Sequence, residues 1–224
     1  MTENELIDQI YSLYEGDVDM WDTDSDEYLL ARNYLNAGVN RWRYYEQTDW
    51  KELFVNLADA ADGDKTTVAS TFDYDCPSNF VKPTSYVKIG TNVFKTYTPA
   101  RATTLIADEN TDAWCYFSGN PKDGYDLHVN PNFELDADLT ISYSYYKTPT
   151  EFSSTTDVPE MSDPYFLVYY ALYRLYKNDS EAFNDEFTNA EARLEQMRVN
   201  NITGIEELPD EIEWNNEFQE GFGY

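Results

Sequence analysis

The stretch from Ile141 to Asp179, ISYSYYKTPTEFSSTTDVPEMSDPYFLVYYALYRLYKND, sets a strand, a linker and a capped helix in direct succession. That limits what the rest of the chain can build. Large residues at Ile141, Tyr143 and Tyr145 alternate with Ser142 and Ser144, the period of a half-buried β-strand, and Lys147, Thr148 and Pro149 end it. Ser162 and Asp163 offer N-cap side chains and Pro164 stands where a helix tolerates a missing N–H, so the spacing predicts a helix with its body at Tyr165 to Tyr176. One face of it reads Phe166, Tyr169, Tyr173, Tyr176 and the other Val168, Leu172, Leu175. Both faces need cover, from the protein's own core or from a second subunit.

The chain before this segment begins in helical grammar. Leu6, Ile10 and Leu13 recur at helical spacing from Glu3 to Glu15, with Gly16 just beyond. A longer helix is predicted from Ser25, followed by Asp26 and Glu27, with the stripe Tyr28, Ala31, Leu35, Val39, Trp42, Tyr45. A third is predicted from Asp49, placing Trp50, Leu53, Phe54 and Leu57 on one side.

From Lys65 the grammar changes. Val68, Ser70, Phe72 and Tyr74 fall on alternate positions, and the runs TNVFKTYT, AWCYFSG, GYDLHVN and LTISYSYYK are β-branched and aromatic between Gly, Pro and Asn. This predicts about six or seven short strands in a small antiparallel sandwich or barrel. After the aromatic helix and a break at Asn178 to Ser180, a last helix is predicted from Glu181 to Val199 with Phe183, Phe187, Ala190, Leu194 and Met197 on one stripe. Beyond Arg198 there is no Lys or Arg, and Trp214, Phe218, Phe222 and Tyr224 punctuate an acidic tail. The expected architecture is α+β: a helical bundle from residues 1–64 and 148–200, a large antiparallel β insertion at 65–147 and an extended tail at 201–224.

Charge and cysteine content exclude several functions. The formal charge of −28, from 43 acidic and 15 basic residues, opposes a grip on nucleic acid or on an anionic membrane, since both need clustered cations. An aromatic content of 17% with 20 Tyr is far above that of a disordered chain, so the acidity belongs to the surface of a folded protein. Cys76 and Cys115 lie far apart with no CxxC, which argues against a disulfide framework and fits a reducing cytoplasm as the place of synthesis. The start, MTENELIDQI, reads as neither signal peptide nor membrane span.

No catalytic, metal or cofactor motif emerges. Asp22, Asp24 and Asp26 mimic the opening of a calcium loop, but Glu27 and Asn33 stand where Gly and Glu are required. They read as a solvated helix N-terminus. Asp59, Asp62 and Asp64 around Gly63 form a second acidic loop. His128 is the single histidine, placed in a predicted strand with no second His or nearby Cys, so it reads as structural or exposed.

The residues Tyr145, Tyr146, Lys147, Pro149, Pro159, Pro164 and the run Tyr169, Tyr170, Ala171, Leu172 give the chain its family likeness. It resembles the head-to-tail adaptor proteins of tailed bacteriophages, in which a Tyr-Tyr and basic-x-Pro strand end leads through an acidic linker to an aromatic, alanine-rich helix. Further matching elements are Trp21 to Glu27, Leu35 with Asn36, and Leu127 to Pro131. The likeness spans about residues 3 to 199; the β region and the long tail depart from it. The resemblance implies a non-enzymatic virion protein in the neck of the particle, a ring of typically twelve copies between the portal protein and the next connector or tail protein. Genomic DNA would pass through without specific binding. It also implies subunit packing through Phe166, Tyr169 and Tyr173, and a portal anchor at Trp214, Phe218, Phe222 and Tyr224. A rival expectation from the residues is a carbohydrate-binding or other ligand-binding β module with a helical collar, using Trp114, Tyr116 and Tyr125 as a stacking platform.

Overall fold

The computed structural model describes residues 1–16, 21–60, 65–176 and 180–203, and in the order of the chain these divide into two compact units, Met1–Thr48 with Phe152–Tyr224, and Asp49–Glu151.

The first unit is helical. Helix α1 (Glu3–Glu15) opens on a reciprocal cap in which the Glu5 N–H donates to Thr2 Oγ1 at 3.3 Å and the Thr2 N–H donates to Glu5 Oε2 at 2.8 Å. It ends on Gly16 in the left-handed region (φ 71), whose N–H reaches the Ser12 carbonyl. Helix α2 (Asp26–Arg43) is capped by Ser25, which accepts from the Tyr28 N–H at 3.2 Å. Its predicted stripe from Tyr28 to Trp42 is buried, and Tyr45 falls just beyond its end. Helix α4 (Tyr165–Leu175) packs against α1, α2 and α5 (Ser180–Thr203), so its apolar surface is covered largely within the chain. Where α2 meets α4 the approach is close at Gly38, where an added Cβ would stand 2.8 Å from Leu167 Cδ2. Polar links reinforce the packing: Arg41 holds Glu191 through its Nη2 at 2.9 Å, and Arg32 pairs at 2.8 Å with Glu3, whose side chain is fully buried.

The second unit is a seven-stranded sheet curled into a half-barrel. Its strands are β1 (Phe54–Asn56), β2 (Asp73–Asp75), β3 (Phe80–Ile89), β4 (Asn92–Tyr97), β5 (Trp114–Asn120), β6 (Gly124–Val129) and β7 (Ile141–Lys147), in the order β1-β7-β3-β4-β5-β6-β2. The curl brings together inward side chains from strands that are not neighbours. Phe80 at the start of β3 stacks on Phe117 of β5 at 5.2 Å and meets Tyr125 of β6 at 5.3 Å. The register of β7 turns Ile141, Tyr143 and Tyr145 inward, and Tyr145 donates to Asn79 Oδ1 at 2.8 Å.

Three expectations change here. The segment from Asp49 is not a helix: two short 3-10 turns, Lys51–Leu53 and Leu57–Asp59, bracket β1, which pairs with Ser144 to Tyr146 of β7. A long-range ladder outweighs the helical spacing, because a helix this short is marginal without tertiary cover. The sheet is also not wholly antiparallel. Strands β4 and β5 run parallel, joined through helix α3 (Pro99–Ala107), which starts on a Thr98 cap with Pro99 in its first turn. Finally, the alternation from Val68 to Tyr74 yields only β2, because Ala69 and Ser70 turn the chain and the Thr71 N–H closes on the Val68 carbonyl. Among the described residues no helix is long and apolar enough to cross a membrane.

Candidate functional site

The helical unit gathers polar and aromatic groups at the start of α4. Asp163 accepts the Tyr165 N–H at Oδ1, 3.1 Å, and Arg193 Nη1 at Oδ2, 2.6 Å. One carboxylate therefore caps α4 and ties it to α5. The Arg193 guanidinium lies over the rings of Tyr165 and Tyr169, 5.4 and 5.0 Å from their centroids. Burial works against its charge, but the hydrogen bond and charge of Asp163 prevail and hold its pKa above the ordinary value. Beside it Tyr169, Asn189 and Gln196 help to line a recess of about 290 Å³. This is a pre-ordered polar and aromatic surface built around the Asp163–Arg193 pair.

Of the three residues expected to pack subunits, the structure separates one. Phe166 is fully buried within its own chain and has no surface left for a neighbour. Tyr169 and Tyr173 are half-buried, and Tyr173 meets Phe183 at 4.6 Å and Phe187 at 5.2 Å. Phe187 is 41% exposed. Trp214, Phe218, Phe222 and Tyr224 lie outside the described residues, as do Asp62, Gly63 and Asp64. Asp22 serves a turn, its carbonyl accepting the Ser25 N–H at 2.8 Å. Among the described residues no three His, Cys, Asp or Glu side chains converge on a metal-holding position.

In the β unit the fold gives His128 the partners that its sequence neighbours lack. Asp73 stands opposite it on β2 and contacts Nδ1 at 2.6 Å, while Ser118 on β5 contacts Nε2 at 2.7 Å. Tyr116 stacks on the imidazole at 4.5 Å. The order Ser, His, Asp is that of a hydrolytic relay, with Nδ1–H donating to the carboxylate and Nε2 accepting the serine proton. A working relay also needs a screened carboxylate and donors aimed at an oxyanion. Asp73 is 74% exposed. The arrangement acts as a clasp that fastens the three-residue edge strand β2 to β6 and β5.

The aromatic platform expected of Trp114, Tyr116 and Tyr125 does not form. Trp114 is buried under Ala102 and Leu105 of α3, and Tyr125 turns to the inner face against Phe80. Period-2 alternation puts Tyr116 and Tyr125 on opposite faces, because Tyr116 pairs with His128 and Tyr125 lies three positions before it.

The sequence matches the family model of the SU10 adaptor protein over residues 1–213. The chain belongs to the SU10 adaptor protein family. That is a family of phage head-to-tail adaptors, which makes the chain a structural bacteriophage virion protein of the head-tail connector class. No curated protein matches the chain. Several residues of the family likeness hold the fold rather than line a site. Tyr145 is buried in the sheet core, Tyr146 lies under Lys82 at 5.2 Å, and Asn36 hydrogen-bonds the backbone of Phe152. Sequence reasoning missed Arg193 and Asp163 as a pair. They are 30 residues apart, and no local pattern links them.

Proposed function

We infer that the chain is a non-enzymatic ring protein seated between the portal and the next connector or tail protein, continuing the DNA conduit. The observation that carries the reading is the family match over residues 1–213. Copies assemble side by side, typically twelve to a ring, with Tyr169 and Tyr173 among the residues that face a neighbour. Exposed aromatics at Phe187 and Tyr165 support this, since rigid rings bury large area at low entropic cost. The formal charge of −28 suits a wall along which DNA slides without adhering. Trp214, Phe218, Phe222 and Tyr224 anchor the ring to the portal by ordering in grooves of that partner.

Native mass spectrometry with and without portal protein, together with an electron-microscopy reconstruction of the particle, tests the reading. A portal-bound ring is the expected result, and a chain that stays monomeric beside portal protein overturns it. Truncation after Leu208 tests the anchor: the protein stays folded but loses portal binding, and unchanged binding refutes the tail's role.

A further inference from the structure

Charge is divided across the width of the sheet. Strands β1, β7, β3 and β4 hold Lys82, Lys88, Lys95 and Lys147 and neither Asp nor Glu, whereas β5, β6 and β2 hold Asp73, Asp75 and Asp126 and neither Lys nor Arg. Register fixes the side on which these charges emerge. Tyr86 stands opposite Lys95 and Val93 opposite Lys88, while Val87 and Phe94 between them are buried, so both lysines share the outer face with the exposed Tyr86 and Val93. Phe54, Tyr86, Ser142 and Ser144 help to line a recess of about 400 Å³ there. Lys82 is paired with Asp49, but Lys88 and Lys95 make no ion pair among the described residues.

At the other end of the sheet the outer face is acidic. Asp73 stands opposite His128 and Asp75 opposite Asp126, while Tyr74 and Leu127 between them turn into the core. The Cys76 N–H donates to the Tyr125 carbonyl at 2.8 Å and the Val129 N–H to the Phe72 carbonyl at 2.7 Å. Asp75 and Asp126 therefore form a non-hydrogen-bonded pair, the kind that brings facing side chains closest. Like charges set directly opposite each other destabilise a ladder. Asp73 is held by His128, yet neither Asp75, which is exposed, nor Asp126 makes an ion pair among the described residues.

We propose that the two ends of the sheet are the halves of a heterologous contact between copies: the Asp75–Asp126 pair of one chain seats on the Lys88 and Lys95 face of a second, covering Tyr86 and Val93. The proposal rests on the ring reading and names the interface it uses. A ring closed head to tail needs two different, complementary patches on every subunit, whereas a two-fold dimer uses one patch twice. Both patches here belong to one continuous sheet, which sets the angle between them. Opposite charges fix orientation and speed encounter, and the lysines relieve the repulsion between the paired aspartates. A divalent cation is the less suited partner of the aspartates, because among the described residues no group of three His, Cys, Asp or Glu gathers to hold one. Nucleic acid is the less suited partner of the lysines, because a phosphate grip draws on many more cations than this face offers.

Sedimentation velocity of the full-length chain at low and high ionic strength reads the contact. Self-association weakens with salt, and falls about tenfold in Lys88→Glu/Lys95→Glu and equally in Asp75→Lys/Asp126→Lys, with circular dichroism checking that each variant is folded. Mixing the two variants restores association, since the native acidic end of the first meets the native lysine face of the second and the two reversed surfaces also match. Asp75→Asn/Asp126→Asn separates docking from folding: it weakens association but raises the urea midpoint measured under dilute, monomeric conditions. A wild-type chain that stays monomeric at every concentration, an oligomer indifferent to both reversals, a mixture that fails to reassociate, or a lowered midpoint in the asparagine variant overturns the interface. Any of these leaves the ring open to assembly through other surfaces or on the portal. Carbodiimide coupling of isotopically mixed chains joins Lys88 or Lys95 of one copy to Asp75 or Asp126 of another; links confined to one chain, or running to the acidic residues beyond Arg198, overturn it. So does calcium that binds the wild type and not the asparagine variant, or a short DNA duplex that binds the wild type and not the lysine variant.

Discussion

The side chain of Asn36 forms two hydrogen bonds with the backbone of Phe152, 116 residues away: its Oδ1 accepts the Phe152 N–H at 2.7 Å and its Nδ2 donates to the Phe152 carbonyl at 3.1 Å. One amide thereby satisfies both polar groups of a residue whose side chain is buried. The loop that follows docks α1, because the N–H groups of Glu3 and Asn4 donate to the carbonyls of Asp157 and Thr155 at 2.7 and 3.1 Å. Asn36→Ala leaves both Phe152 groups unpaired and costs about 2 kcal/mol. Urea denaturation measures it, and an unchanged midpoint sinks this account of Asn36.

Gly38 permits the close approach of α2 to α4. A valine there drives methyl groups into Leu167, which is fully buried, and into the Tyr170 ring, whose Cδ1 lies 3.2 Å from the position of an added Cβ. Gly38→Val is expected to lower stability by about 2 kcal/mol through overpacking, despite the lost flexibility of the unfolded chain. A neutral or stabilising effect in thermal unfolding contradicts the packing described.

The His128 clasp predicts a local rather than a global effect. His128→Ala removes the side-chain contact of β6 with the edge strand β2 at Asp73, together with the contact to Ser118 and the stack on Tyr116 of β5, at a cost of about 1 kcal/mol. Amide exchange at Tyr74 and Cys76, whose N–H groups face β6, accelerates more than at Val87, which lies in the buried sheet core. A fluorophosphonate leaves Ser118 unmodified. Labelling of Ser118 that disappears with His128→Ala assigns a reactive serine instead of a clasp.

Stability falls on the alkaline side. Burial pushes the Tyr28 hydroxyl up to about 12, aided by the carboxylate of Glu3, and pushes the thiols of Cys76 and Cys115 up to about 11 and about 12. Raised folded-state values mean that the native protein holds these protons more tightly than the unfolded chain does. Their contribution is complete below the ordinary values of 9.0 for Cys and 10.0 for Tyr and is lost as pH rises through 11 to 12. Melting temperature is expected to hold near pH 8 and drop steeply by pH 11.5, more shallowly in Tyr28→Phe. The same burial keeps both thiols from a maleimide at pH 7 until denaturant is added, and rapid labelling of the native protein contradicts it.

The sequence by itself determined the local elements. The alternation of Ile141, Tyr143 and Tyr145, the caps at Ser25 and Asp163, and Gly16 after α1 each depend on a few neighbours in the chain, and each is found where the spacing puts it. The likeness carried by Asn36, Tyr145 and Tyr146 reached the family, although what those side chains do is hydrogen-bond and pack the fold. Tertiary structure decided whatever depends on distant partners. Phe54 to Asn56 became a strand because β7 was available to pair with it, Trp114 was covered because α3 crosses over β5, and His128 acquired Asp73 across 55 residues. The lysine and aromatic face is of the same kind: Lys88 and Lys95 are ordinary alternating polar residues until the register of β3 and β4 sets Lys88 beside Val93 and Lys95 beside Tyr86.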